Sequence, residues 1–365
     1  MSPVLCSGAI WIIPIIYVTL PCMIHNSSNK KTIRIVVAAL SIAAIATALL
    51  VYRSYFITGY DGNEAKWIYI GDKMTSDSIG QILGSELGAT GKKAATIWSL
   101  AGGDASRAHG AYRIEPGMSA AKIYRKISRG AQTPVKLTFN NVRTVNQLAG
   151  LVGRRLETDS AAFLSACDSI LPEKGFKKQQ YAAAFLPDSY EFYWTASPEK
   201  VVTTLCGYRD RFWNDERRAK ASGLGLSPVQ VAIIASIAEE ETNDRAERGT
   251  VGRLYLNRVK KGMKLQADPT VKFAVGDFSL RRITGKHLAI QSPYNTYQNA
   301  GLPPGPIRIA DRETINAILD SKPHPYLYMC AKEDFSGRHN FAVTYAEHQQ
   351  NAARYHRALN SRNIK

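Results

Sequence analysis

Eighteen consecutive residues without a charge, 35–52 (IVVAALSIAAIATALLVY), constrain this chain more than any other feature. As an α-helix they reach about 27 Å, close to the hydrocarbon thickness of a bilayer. Lys30, Lys31 and Arg34 lie just before them. Positive charge on that side predicts that the amino-terminal flank stays in the cytoplasm. Everything after residue 53 is then expected on the periplasmic or extracytoplasmic face of the cytoplasmic (inner) membrane. A buried soluble helix and a cleaved signal peptide are the alternatives. The segment is long for a signal core, however, and no small-x-small cleavage site follows closely. Residues 3–24 form a second apolar stretch interrupted by Pro14 and Pro21. It is either a second span or an artefact of the start, with translation beginning at Met23 and leaving a single-pass protein.

The remaining pattern predicts an α+β chain in parts. Residues 1–34 are the cytoplasmic or mis-started segment, 35–52 the membrane helix, 53–66 a connector, 67–132 a small subdomain and 133–365 a larger mixed helical/β domain. In the small subdomain, WIYI and GAYRI read as strands. Ile79, Ile82, Leu83 and Leu87 fall at helical spacing, and a second helix is framed by Ser119 and Gly130. In the larger domain, 134–145 begins as a strand, and 145–156, 159–170 and 197–223 read as helices. Residues 183–194 (AAFLPDSYEFYW) read as a loop and strand lining a groove, with ordinary core as the alternative.

The net charge of +17 suits a polyanionic partner: nucleic acid, anionic lipid or an anionic wall polymer. Neither an aromatic-studded basic sheet nor a recognition helix is present, so no nucleic-acid role is expected. The five cysteines show no CxxC pairing. Cys167, Cys206 and Cys330 are an odd set outside the membrane, so at least one thiol should be unpaired. His339 and His348 match no zinc spacing. No metal and no cofactor are expected.

The chemistry concentrates on one helix. Ser227, Pro228 and Gln230 form a helix-start signature. The run VAIIASIA that follows is apolar on all sides, as in a buried helix. It leads into Glu239, Glu240 and Glu241. Three adjacent acids repel one another and sit at the negative end of the helix dipole. A solvated helix end, salt-bridged to Arg245 or Arg248, is the plain alternative. Taking the core side through Val231, Ala235, Ala238 and Thr242, a turn of about 100° per residue sends Glu240 into solvent. Glu239 and Glu241 fall on the two flanks. A carboxyl against apolar walls holds its proton to higher pH, which a general acid needs. Further on, LQADPTV reads as a polar turn. The Pro-, Gly-, Asn- and Tyr-rich SPYNTYQNAGLPPGPIRI reads as a site-lining loop.

These stretches resemble a known family, the YceG-type endolytic murein transglycosylases. The matching motifs are FLPDSYEF (185–192), IASIAEEET (234–242), LNRVKKGMKLQADPTV (256–271), SPYNTYQNAGLPPGPI (292–307) and AKEDFSGRHNFAVTYAEH (331–348). GAYRIEPGMS resembles part of that family's LysM-like carbohydrate-binding subdomain. The resemblance implies a membrane-anchored lyase that cuts MurNAc–GlcNAc bonds in nascent peptidoglycan glycan strands. The expected products are 1,6-anhydro-MurNAc ends. It also implies partnership with peptidoglycan synthases and with division or elongation proteins, and a role in ending strand growth. It puts the catalytic glutamate on Glu239, with Glu241 in a supporting role. The family often has Lys at the position of Glu240, which fits an exposed site. Candidates for holding the glycan are Gln266, Asp268, Tyr294, Asn295 and Tyr297, with Glu191 lining the groove and His339 touching substrate. The competing readings are a non-catalytic peptidoglycan-binding scaffold and a muramidase that uses water.

Overall fold

The computed structural model describes residues 27–280 and 282–362. The second apolar stretch and Met23 lie outside the described residues. Helix α1 (Ser27–Tyr52) runs into a single π-turn, Arg53–Ile57. Its span Lys30–Ile57 is long and apolar enough to cross a membrane, and none of it is buried in the protein. Ile35, Leu40, Ile42 and Leu50 all stand exposed. A continuous apolar surface of this kind is costly in water and fits a membrane anchor.

The rest packs as two units. One runs to Ala108 and takes up Tyr112–Ala131; the other comprises His109–Ala111 and Gln132–Lys365. The first holds β1 (Lys66–Ile70), α2 (Ser76–Leu100), most of β2 (Gly110–Ile114) and α3 (Ala120–Ser128). The two strands pair. Helix α2 is longer than its amphipathic start suggests and is bent at Gly88, where φ is +57°. Glycine takes that conformation without a Cβ penalty. Ile68, Ile79, Leu83, Trp98, Tyr112 and Ile123 form the core. Ser119 occupies the cap position of α3 but makes no capping hydrogen bond, and its buried hydroxyl has no partner. The cap expected from sequence is therefore positional only.

In the second unit, β3 (Val135–Phe139) is followed by α4 (Val145–Arg155), α5 (Ser160–Glu173), a 3-10 helix (Lys178–Ala184) and β4 (Asp188–Phe192). Strand β4 returns antiparallel to β3, with Leu137 opposite Tyr190. The period-2 pattern of β3 turns Val135, Leu137 and Phe139 inward. The single helix expected over 197–223 is two, α6 (Pro198–Phe212) and α7 (Asp215–Gly223). Asn214 breaks it by accepting from the Arg217 backbone N–H at 3.0 Å, a cap for the second helix.

Helices α8 (Pro228–Glu241), α9 (Arg248–Lys260), α10 (Asp268–Val275), α11 (Gly285–Leu288) and α12 (Arg312–Leu319) follow. The chain closes with the hairpin β5 (Tyr328–Ala331) and β6 (His339–Ala342), then α13 (Tyr345–Ser361). Helix α8 is the centre: every residue from Val231 to Glu239 is buried, packed among Leu254, Tyr255, Leu265, Ile315 and Ile318. Its start is capped reciprocally. Ser227 N–H donates to Gln230 Oε1 at 2.8 Å, and Gln230 N–H donates to Ser227 Oγ at 3.3 Å. The LQADPTV segment is not only a turn. Pro269 sits in the first turn of α10, where its missing N–H costs nothing.

The proline-rich loop lies against the 3-10 helix at Gly305. A Cβ there would stand 1.7 Å from the Gln179 carbonyl oxygen. Since backbone cannot yield cheaply, Gly305→Ala should cost about 1–3 kcal/mol. Urea unfolding measures this; an unchanged midpoint would show that the loop is not docked there.

Candidate active site

The three acids at the end of α8 have different surroundings. Glu239 is sealed: its side chain is 0% exposed and lies 2.9 Å from Arg308 Nε. That approach is an ion pair without hydrogen-bond alignment, since neither Glu239 Oε2 nor Arg308 Nε has a hydrogen-bond partner. The other oxygen, Oε1, accepts from the Asp311 backbone N–H at 2.6 Å. Burial pushes the Glu239 carboxyl above its usual range, opposed by the Arg308 charge. Arg248 closes this flank by donating to Thr314 Oγ1 at 2.9 Å.

Glu240 is not the exposed acid that helical geometry suggested. Its side chain is only 17% exposed and is held by two arginines, Arg308 Nη1 and Arg143 Nη2, each at 3.0 Å. Angular position on α8 does turn it from the core arc. The segments around Arg143 and Arg308 then cover it.

Glu241 faces a different group. Tyr255, reaching from α9, donates its hydroxyl to Glu241 Oε1 at 2.7 Å. Tyr297 donates to Asp268 Oδ1 at 2.6 Å. Burial pushes the Glu241 carboxyl up to about 7; the Tyr255 hydrogen bond opposes this and the Asp268 charge adds to it. Unlike Glu239, Glu241 keeps partial exposure, and Asp268 and Gln266 beside it on the chain are exposed. Gln266 holds φ at +49°, the left-handed conformation in which non-glycine residues cluster at functional sites. Its turn is pinned by one residue, Thr296. Gln266 N–H donates to the Thr296 carbonyl at 3.1 Å, and Ala267 N–H donates to Thr296 Oγ1 at 3.0 Å.

Of the residues singled out from sequence, the structure brings Glu241, Asp268 and Tyr297 together, with Gln266 adjoining. Asn295 is elsewhere in purpose: it is 0% exposed, donates to the Leu288 and Ile290 carbonyls and accepts from Tyr297 N–H. It braces the loop and has no group left for substrate. Tyr294 packs against Phe273, with ring centroids 4.7 Å apart and the planes tilted by 47°. Glu191 is exposed on β4 opposite Lys136, on a ribbon that carries none of the other candidates. His339 is bound to Glu247 through its backbone N–H at 2.9 Å and its Nδ1 at 3.0 Å. Glu247 in turn lies 3.4 Å from the Thr242 hydroxyl that ends α8, so His339 reaches the acids only through intermediaries.

Sequence reasoning missed Tyr255, Thr296, Arg308 and Asp311. Tyr255 sits inside an apolar helical pattern, and Arg308 follows the proline-rich loop as an ordinary charge. Neither carries a local signal of its contact.

Residues 68–354 match the YceG-like family model. The chain belongs to the YceG-like family. An endolytic murein transglycosylase of Bacillus subtilis strain 168 is 28% identical, over 70% of this chain and 74% of its own length. A protein of the same name from Streptococcus pneumoniae serotype 2 is 24% identical over 67% of this chain, which spans about half of that relative's length (50%). A solved structure of a YceG-like protein from Listeria monocytogenes aligns with a TM-score of 0.53 at 25% identity, covering 79% of this chain and 99% of the other.

Proposed function

We propose that this YceG-like protein is a membrane-anchored endolytic murein transglycosylase whose proton donor is Glu241. The observation that carries the reading is the setting of Glu241: a residue only partly buried, its carboxyl hydrogen-bonded to Tyr255, pushed up to about 7 by burial and within reach of the charge of Asp268, which holds Tyr297. Glu239, which the family resemblance had suggested, is shut off from substrate by Arg308 and Asp311. Its role here is to tie α8 to the 308–311 segment.

Protonated Glu241 donates to the glycosidic oxygen between MurNAc and GlcNAc as the C1–O bond breaks. The carboxylate then takes the proton of the MurNAc C6 hydroxyl. O6 bonds to C1, the 1,6-anhydro ring closes, and GlcNAc leaves with a free 4-hydroxyl. One carboxyl acts as acid and then base, and no water is consumed; the usual paired-carboxylate geometry is not required. The intramolecular nucleophile supplies rate by proximity. Asp268, Tyr297 and Gln266 hold the sugar.

The wider reading follows from the same family. α1 anchors the enzyme with residues 53–365 outside the cytoplasmic membrane. Residues 67–132 act as the LysM-like glycan-holding part, a reading supported by the order strand, two helical halves, strand in β1, α2 and β2. The enzyme cuts nascent strands beside peptidoglycan synthases and the division or elongation machinery, ending strand growth.

Mass spectrometry of glycan strands digested by the purified protein tests the reaction. Anhydro-MurNAc ends are expected, with turnover falling as pH rises through about 7 because the donor must hold its proton. Reducing MurNAc ends would mean hydrolysis, and the absence of new ends would mean a binding scaffold.

A further inference from the structure

A cavity of about 420 Å³ opens on the second unit, lined by Arg143, Asn146, Lys178, Tyr181, Phe273 and Tyr294 among others. Its size lies in the range of small-ligand sites. No step of the reaction above uses it. Its lining combines aromatic and polar side chains, the mixture a carbohydrate site uses. The Phe273 and Tyr294 rings lie 4.7 Å apart, while Asn146 and Lys178 stand exposed at the mouth. Its cations are already matched: Lys178 pairs with Asp168 at 3.1 Å, and Arg143 with Glu240 at 3.0 Å. Little positive charge therefore remains to attract the carboxylates of a peptide.

The cavity and the Glu241 site draw side chains from two shared elements. Phe273 lies on α10, five residues from Asp268 and so about 7.5 Å along the helix axis. Tyr294 precedes Tyr297 in one loop, and Tyr297 is hydrogen-bonded to Asp268.

We propose that this cavity is a distal glycan subsite, gripping an uncut sugar of the same strand whose bond lies at Glu241. The inference rests on Glu241 marking the cut. A sugar bound here requires a strand that continues past the scissile bond, so the subsite favours internal over terminal cleavage. Binding energy from such a remote contact raises kcat/KM for long strands only.

The test uses two variants, Tyr294→Ala, which removes an aromatic side chain from the lining, and Asn146→Trp, which adds bulk to the lining from an exposed position and leaves the core intact. Binding is measured by calorimetry in Glu241→Gln protein, with peptide-free glycan strands of short and long length as probes. Each variant should weaken long-strand binding about tenfold, equivalent to about 1.4 kcal/mol, while short fragments bind as before. With Glu241 restored, kcat/KM should fall on long strands only. Equal loss at both lengths, or no loss, overturns the subsite. Loss confined to strands that carry stem peptides also overturns it, since the cavity would then take peptide. If wild-type protein leaves strands uncut yet the length-dependent split persists, the proposed reaction fails while the cavity remains a glycan-binding site.

Discussion

Glu241→Gln should lose about 10²–10⁴-fold in kcat, because the amide neither donates a proton nor recovers one. Glycan binding should survive, since Gln keeps the shape and can still accept the Tyr255 hydroxyl. Glu239→Gln should keep its kcat within about tenfold of wild type, because an acid donor must be reachable by the glycosidic oxygen and this carboxyl is not. Its cost falls on stability instead. Single-turnover assays on glycan strands separate the two. An inactive but folded Glu239→Gln beside an active Glu241→Gln would return the donor role to Glu239.

The same substitution has a pH signature. The Glu241 carboxyl holds its proton up to about 7, above its ordinary 4.5. The folded state therefore binds that proton more tightly than the unfolded chain. The associated stability is fully present below about pH 4.5 and is lost as pH rises through about 7. Glu241→Gln mimics the protonated form permanently. It should melt close to wild type at pH 5 and above wild type at pH 8. A gap that stays constant across this range would mean that Glu241 is not the titrating group. Instability of the ionised acid is the expected companion of the catalytic use proposed for it.

Arg308→Ala should cost about 3–5 kcal/mol, the largest stability loss predicted here, because it strands a buried carboxylate. Arg308 is 10% exposed and bridges Glu239 and Glu240, so both acids lose their shared cation. The loss should shrink as pH falls, since Glu239 already favours its neutral form. Combining Arg308→Met with Glu239→Leu should recover most of the stability, as replacing a buried pair by apolar groups does. Urea unfolding of the two single variants and the double variant closes the cycle. Purely additive losses would show that the two side chains do not interact.

Several features were legible in the sequence because their causes are local. The uncharged run 35–52 could only be a helix needing an apolar surround, and α1 is that helix. Period-2 alternation wrote β3, and the Ser227–Gln230 cap with its all-round apolar run wrote α8. The acid triplet at the end of that run fell on the turn of helix that carries the proposed donor. Boundaries failed where a side-chain cap intervened, as at Asn214, or where a proline opened a helix that reads as a turn, as at Pro269.

What separates the surroundings of Glu239 from those of Glu241 was not written there. A spacing of about 100° per residue puts Glu239 and Glu241 on equivalent flanks, and nothing in positions 234–242 distinguishes them. Distant segments decide. Arg308 and Asp311 close over the Glu239 flank, about seventy residues along the chain, while Tyr255, Asp268 and Tyr297 furnish the other. Proton affinity depends on desolvation and on neighbouring charge within a few ångströms, and those neighbours meet only when the chain has folded.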